Sequence, residues 1–600
     1  MKKIILGTIV SATLLFNLNG CSDKKSNEES ANKAVEKVSA VSREIREKAL
    51  HAKLNSLAAY GFDVNKTSEN TYILTVKDIS QTTESILSLL NLNTLDAKSK
   101  SDLEKVIGNR KIGVEIDWAK YIANEKESLF IYDLGHGKEA AYMTKLLKNK
   151  KLAAYLSYNG KDQLTQVKIK DIDETVTTEP YETHFMLKGM HVDMLKPFVK
   201  GTTTDYAYTL HTGSFKTNIK TDMNDTVIIA YSDSVCTVDK QNAYLGTVGC
   251  TFPMIDVSYK TALIDGNIDF SMKDTAFEYI TTLHDKKVKA DMNLSIASMF
   301  FEGKGTEEEG KLVINDIKVF GNMDNMDESI MKRYMEFVNN PPKDKKMNVK
   351  ELMSYVAKMY SMGMTFDYTT SAASIEGESK KGLFKLDSYK ARGKGIFTET
   401  IDYKENSTIK HISFMDKVSK KTTFDIENLK FGYGISKFYN IFPAFMEFSA
   451  DLSEAQQAQV GQEPVVPEKV LNDFANKAKK IINDGFGLSL APIGWDRLQV
   501  DVKGETVKVE KLDFTIDANL KKNDVAIDTD NPMAMMMLIP YLQANGKLVL
   551  SKQDVEKISK NAPVQIQAMI MMFAKLEGDN AVFILKFENG HLLVNGKPVM

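Results

Sequence analysis

The chain has 600 residues, with 78 basic against 80 acidic side chains and a formal net charge of −2. That length exceeds one ordinary hydrophobic core, so a few domains are expected. The near-neutral balance lacks the basic excess that a phosphate backbone demands, which argues against nucleic acid as a partner.

Lys2 and Lys3 precede an apolar run from Ile4 to Phe16. A basic segment followed by an apolar one is the order of a secretory signal. The run is shorter than the roughly 20 residues of a membrane-spanning helix. It ends in Leu18-Asn19-Gly20-Cys21, which resembles the lipobox read by lipoprotein signal peptidase, with Asn19 as a less usual filler. The resemblance implies that residues 1–20 are a signal peptide and that Cys21 carries diacylglycerol. Cys21 then becomes the first residue of the mature chain, with its amine acylated. One acyl chain binds a membrane only marginally, whereas two or more anchor stably. Cys21 is therefore expected to tie the protein to a membrane of the bacterial envelope. Ser22 stands where enterobacterial lipoproteins kept at the inner membrane carry Asp, which points to the outer membrane, facing the periplasm or the surface. Residues 21–35 are polar and read as a flexible tether.

With Cys21 lipidated, Cys236 and Cys250 are the remaining cysteines. In an exported protein such a pair typically forms a disulfide. The polar, turn-like stretch from Asp239 to Asn242 suggests a bridge across the base of a hairpin. Two unpaired thiols are the alternative. A metal pair lacks a nearby histidine cluster to complete it.

Residues 36–340 read as a helix followed by a β-meander. Val38, Val41, Ile45, Ala49 and Ala52 form the helical stripe. Tyr72, Leu74 and Val76 then alternate with Ile73, Thr75 and Lys77, and short strands recur to about residue 325. Helices are expected near 83–91, 99–108 and 138–148. Asn159-Gly160 and Asp265-Gly266 suit tight hairpin turns. Asn340-Pro341-Pro342 and the charged run Lys343 to Lys346 break the chain. A second region, 347–455, opens with a helix over Leu352, Val356 and Met359, continues in strands, and closes with a helix near 436–450. Gln456 to Glu468 reads as a linker.

The third region, 467–600, begins with a helical stripe through Val470, Leu471, Phe474, Ala478 and Ile481. Alternation on Val507 and Val509 shifts parity at Leu512, Phe514 and Ile516, which signals a bulge or turn near Glu510-Lys511. Two apolar helices, Met533–Ala544 and Val564–Leu576, are expected next. The chain ends with Phe583, Leu585 and Phe587, then Asn589-Gly590, then Leu592 and Val594, a terminal hairpin. The sequence Glu588-Asn589-Gly590-His591-Leu592-Leu593-Val594-Asn595-Gly596-Lys597-Pro598, after an apolar helix and Gly578, resembles the C-terminal signature of the YdgA-like bacterial envelope proteins. The likeness covers about the last hundred residues. It implies an exported, β-rich envelope protein with no known catalytic residues. The lipobox departs from that family's membrane-anchoring segment.

Catalytic motifs do not emerge. His184 and His191 are the nearest histidine pair, and a spacing of seven sets them two turns apart on a helix or on opposite faces of a strand, too far to act together. There is no H-E-x-x-H, no G-x-S-x-G, and no glycine pair that continues into a phosphate loop. No catalytic residue, metal site or cofactor is expected. Met533, Met536 and Met537 on one helix, with Met569 and Met572 on the other, form a candidate apolar ligand surface, because flexible Met side chains suit promiscuous apolar binding. Two core helices packed on a sheet explain the same residues more plainly. The expected fold class is α+β, with many-stranded, curved antiparallel sheets packed against helices. The expected function is non-enzymatic binding of a lipid or an envelope protein partner. A structural or adhesive lipoprotein without a ligand cavity, and a hydrolase with a site invisible in sequence, are the alternatives.

Overall fold

The computed structural model describes residues 35–89, 100–101, 104, 108, 111–134, 153–159, 163–178, 181–196, 206–221, 225–242, 244–261, 266–305, 309–339, 349–458, 468–502, 505–525, 532–561 and 563–599. Cys21, the tether as far as residue 34, the expected helix at 138–148 and the break at 340–346 lie outside them. Antiparallel strands dominate, with a minority of helices. The chain divides into two compact units, residues 1–280 with 335–343 and residues 281–334 with 344–600.

The first unit opens with α1 (Val35–Ser56), followed by a 3₁₀ turn at Leu57–Tyr60. The buried stripe differs from the expected one. Leu50, Leu54 and Leu57 are each at most 1 % exposed, whereas Ile45 is 62 % exposed. Leu50 and Leu54, one turn apart, and Leu57 just beyond them point into the core of the unit. Gly61 ends the turn at φ 87, in the left-handed region, and a Cβ there would lie 2.6 Å from the Asp78 carbonyl oxygen.

Next come β1 (Phe62–Lys66), β2 (Thr71–Val76), α2 (Ile79–Leu89), β3 (Lys111–Ile116), α3 (Trp118–Ala123), β4 (Leu129–Asp133), β5 (Ala153–Tyr158) and β6 (Leu164–Ile169). Each strand pairs antiparallel with the one before it. The expected alternation in β2 is present: Tyr72, Leu74 and Val76 are buried, and they join Val114, Leu129 and Leu156 in one core with the α1 leucines.

The rest of the unit is β7 (Ile172–Thr178), β8 (Tyr181–Lys188), β9 (His191–Met194), β10 (Tyr206–Lys220), β11 (Thr226–Lys240), β12 (Gly246–Thr261) and β13 (Gly266–His284). One edge of β10 takes two partners, β8 along Ser214–Lys220 and β9 along Tyr208–His211. β9 also pairs with β6, so it joins the two ladders. Between β8 and β9 the chain kinks at Gly189, φ 67, whose Cβ would sit 3.3 Å from the Gly213 Cα. β11 and β12 form a hairpin in which Cys236 stands directly opposite Cys250. The two are joined as a disulfide, with Cα atoms 4.0 Å apart. The Asn242 side chain accepts the backbone N–H groups of Tyr244 and Leu245 in the intervening turn.

The second unit holds β14 (Lys287–Lys304), β15 (Glu309–Asp327), the first half of α4 (Glu328–Asn339), α5 (Val349–Met359), β16 (Met364–Ser379), β17 (Gly382–Phe397), β18 (Thr400–Asp416) and β19 (Lys421–Tyr439). From β14 to β19 each strand pairs antiparallel with the next. The β15–β16 ladder carries the sheet across the charged break, so strands on either side of the boundary read at 340–347 belong together. α6 (Phe442–Ala458) starts later than the helix expected near 436, because β19 runs to Tyr439.

α7 (Glu468–Asp484), β20 (Phe486–Trp495), β21 (Arg497–Val502), β22 (Glu505–Val509) and β23 (Leu512–Leu520) follow. β20 and β21 share the outer edge of β19. The parity slip is a turn between β22 and β23, where the Asp554 carboxylate accepts the backbone N–H groups of Glu510 and Lys511. The expected helix Met533–Ala544 is instead a 3₁₀ segment, Pro532–Tyr541, running into β24 (Leu542–Ser551). Pro540 removes a donor and disfavours an α-helix there, and β24 draws Leu542 onward into the sheet beside β23. α8 (Lys552–Asn561), α9 (Val564–Phe573), β25 (Lys575–Glu577), β26 (Asn580–Glu588), β27 (His591–Val594) and β28 (Lys597–Val599) complete the chain. The terminal hairpin is thus present, with one further strand after it.

Candidate hydrophobic docking face

Alternate residues of a strand point to one face, and paired residues of neighbouring strands share it. In the second unit these two rules stack apolar side chains across eight strands. Phe301 opposes Leu312, which opposes Gly377, then Phe384, Phe414 and Phe424 follow in register, and Val500 and Val507 finish the row. Two residues further along every strand, Met299, Ile314, Ile375, Leu386, Ile412, Ile426, Leu498 and Val509 form a second row on the same face. Seven inter-strand steps of about 4.8 Å make this a track of roughly 34 Å.

The opposite face is mainly polar from β16 onward, with Phe300 and Val313 on it at β14 and β15. It carries Glu376, Lys385, Asp425 and Gln499 in one row. On that face Arg497 bridges Glu427 at 2.5 Å and Asp425 at 3.1 Å. His411 also meets Asp425 at 3.1 Å. The second row is closed on its central strands, whereas the first row is more open. Leu386 and Ile426 are 9 % and 8 % exposed, while Phe301, Phe414 and Val507 keep 42 %, 37 % and 51 %. Aligned apolar side chains left partly exposed in this way are candidates for an interaction surface.

The track has defined ends. On one side lie the turns between strands, with Gly303 opposite Gly310 and Gly382 opposite Asp416. On the other, Asp316, Ser388 and Asn428 have φ of 51, 54 and 52. All three sit in one cross-strand line where pairing is interrupted. Left-handed non-glycine residues are uncommon in strands, so this line is a built boundary.

Past that line, Tyr368, Tyr403 and Tyr433 all donate to one oxygen of Glu405, the last at 3.1 Å. Burial raises the Glu405 carboxyl, but the hydrogen bonds from the tyrosines outweigh it and hold the group below its ordinary range. Burial and the bond to Glu405 push the Tyr403 phenol up. Neutral phenols around an ionised carboxylate form a clamp that holds its protons in place. Beside it, a cavity of about 580 Å³ is lined by the charged Lys394, Lys404, Asp402 and Asp517 together with Ile396, Leu488, Gly434 and Gly487.

The residues singled out from sequence fall elsewhere. Met536 and Met537 on the 3₁₀ segment and Met572 on α9 are each 57 % exposed, so they are not the core residues of two packed helices. The side chains of Met533 and Met569 lie outside the described residues. Among the described residues no helix is long and apolar enough to cross a membrane. No protein-family model, curated protein or solved structure matches the chain. The apolar track is not legible in the sequence. Its signal, such as Phe384 with Leu386, Ile412 with Phe414 and Phe424 with Ile426, is plain alternation, which any half-buried strand shows. Only the register aligns those pairs.

Proposed function

We propose that this is an exported protein of the bacterial envelope, lipid-anchored through Cys21 with the outer membrane favoured, and that it binds lipid without catalysing a reaction. The acyl chains lie along the apolar track of the second unit. The observation that carries this reading is the pair of aligned rows across eight strands, one apolar on every strand and the other on all but β16, where Gly377 stands. A track two side chains wide and roughly 34 Å long suits extended hydrocarbon, having room for two acyl chains end to end, as the two leaflets of a ~30 Å bilayer core place them. A protein partner calls for a broader patch with a polar rim. A curved sheet backed by helices, an α+β arrangement, and kinship of the tail with the YdgA-like envelope proteins belong to the same reading.

Native mass spectrometry of the mature chain extracted in mild detergent, together with binding of a fluorescent fatty acid, tests the proposal. Bound lipid should be detected. Leu312→Asp and Phe414→Asp should weaken probe binding about tenfold or more, since each places a charge against hydrocarbon. A protein that never carries lipid, or variants that bind the probe as the parent does, would sink it. Separately, Cys21→Ala should abolish acyl labelling and peptidase processing, and normal processing of that variant would overturn the anchor.

A further inference from the structure

In the first unit three side chains meet on one face of the β6–β9–β10 ladder. His191 and Asp193 are two apart on β9 and share a face. His211 on β10 stands directly opposite His191. The two imidazoles stack with centroids 4.4 Å apart and planes 9° apart. Each Nε2 lies 3.5 Å from the same oxygen, Asp193 Oδ2. The three ligand atoms all lie within 4.8 Å of one another. A tetrahedral ion with bonds of about 2.0–2.1 Å spaces its ligand atoms about 3.4 Å apart. Both N···O edges therefore already have nearly the size of a metal polyhedron.

Groups behind two of these ligands, His191 and Asp193, fix their orientation. His191 Nδ1 donates to the Gly189 carbonyl oxygen at 3.1 Å. That bond keeps the proton on Nδ1 and leaves Nε2 as the lone-pair atom. Gln166 donates to Asp193 Oδ1 at 2.8 Å, which leaves Oδ2 turned toward the two imidazoles. Hydrogen bonds of this kind are the usual support behind metal ligands. The three side chains are 31 %, 38 % and 33 % exposed, so solvent reaches the fourth side of the cluster.

We propose that His191, Asp193 and His211 bind a divalent transition-metal ion of the zinc class, with solvent completing its coordination. Two imidazoles and one carboxylate suit Zn²⁺ and its neighbours, whereas Mg²⁺ and Ca²⁺ take oxygen ligands. The ion ties β9 to β10 beside the Gly189 kink, where the two ladders of the first unit join.

The test is titration of the full mature chain, stripped by a chelator, with Zn²⁺ against a chromophoric competitor and with Co²⁺ followed by its visible bands. One equivalent should bind in the micromolar range or tighter, with Co²⁺ bands of four- or five-coordinate geometry. His191→Gln and His211→Gln should each weaken binding about tenfold or more, and Gln166→Ala, which only orients a ligand, should cost about 10–100-fold. Zn²⁺ should raise the Tm of the parent and leave that of the His191→Gln/His211→Gln double variant unchanged, with circular dichroism confirming that the variants fold. Absence of saturable binding at about 100 µM metal, or parent-like affinity in the folded double variant, would overturn the proposal.

Discussion

Tyr368 lies over Gly393 on the neighbouring strand and reaches past it to Glu405 on the strand beyond. A Cβ at Gly393 would sit 2.3 Å from the tyrosine ring. An aromatic ring laid over a strand glycine restores the packing that the missing side chain forfeits. Gly393→Val should therefore evict the ring and break its bond to the carboxylate, costing about 2 kcal/mol. Thermal unfolding checks this. Tyr368→Phe should cost less, and combining the two should be less than additive, because both remove the same bond.

The same cluster sets an acid limit. Glu405 is depressed in the folded protein, since hydrogen bonds from the tyrosines outweigh the effect of burial. Its contribution is present above the unfolded carboxyl's range and is lost as pH falls through its lowered folded value. Glu405→Gln should flatten stability across that acid window, measured as urea midpoint against pH.

Tyr132 acts at the other extreme. Burial, then its hydrogen bond to Glu115, pushes it up to about 12. Its contribution is complete below the ordinary tyrosine range near 10 and is lost as pH rises toward 12. Tyr132→Phe should remove one late-titrating phenol from the ultraviolet tyrosinate curve. An unchanged curve would contradict the assignment.

Cys236 and Cys250 close a short loop, 14 residues apart in sequence. In the chain-entropy description a bridge of this span contributes about 3 kcal/mol. The double variant Cys236→Ala/Cys250→Ala should unfold at correspondingly lower denaturant, and reductant should shift the parent but not the variant.

The two rows of the apolar track should respond differently. Leu386→Ala, in the closed part of the second row, should cost about 2–3 kcal/mol. Phe301→Asp, in the more open first row, should change stability by about 1 kcal/mol or less, yet weaken binding of the fluorescent fatty acid. Comparing the melting curve with the binding isotherm of each variant separates the two effects.

Local chemistry makes several features legible in the amino-acid sequence alone. The alternation in β2, the slip at Glu510-Lys511, the Asn589-Gly590 turn and the Cys236–Cys250 pair each rest on neighbours in sequence. What escapes it depends on register. His184 is the histidine nearest to His191 along the chain, yet His191 meets His211, because the kink at Gly189 moves β9 onto β10. The apolar rows likewise exist only once eight separate alternations are aligned. The Met533–Ala544 segment misleads for another reason: methionine and leucine favour helix, but Pro540 and the pull of β24 override that preference.

The long strands of the second unit also have a temporal meaning. From β14 to β19 every strand finds its partner in the strand that preceded it. A polypeptide delivered from its N-terminus can lay down such a ladder strand by strand, each on the edge of the one before, with short turns between contacts except at the helical connection from β15 to β16. The order of synthesis is then the order of assembly. The edge of β19 stays open until β20 and β21 arrive to occupy it, so the apolar track reaches its full length only once β21 and β22 are in place.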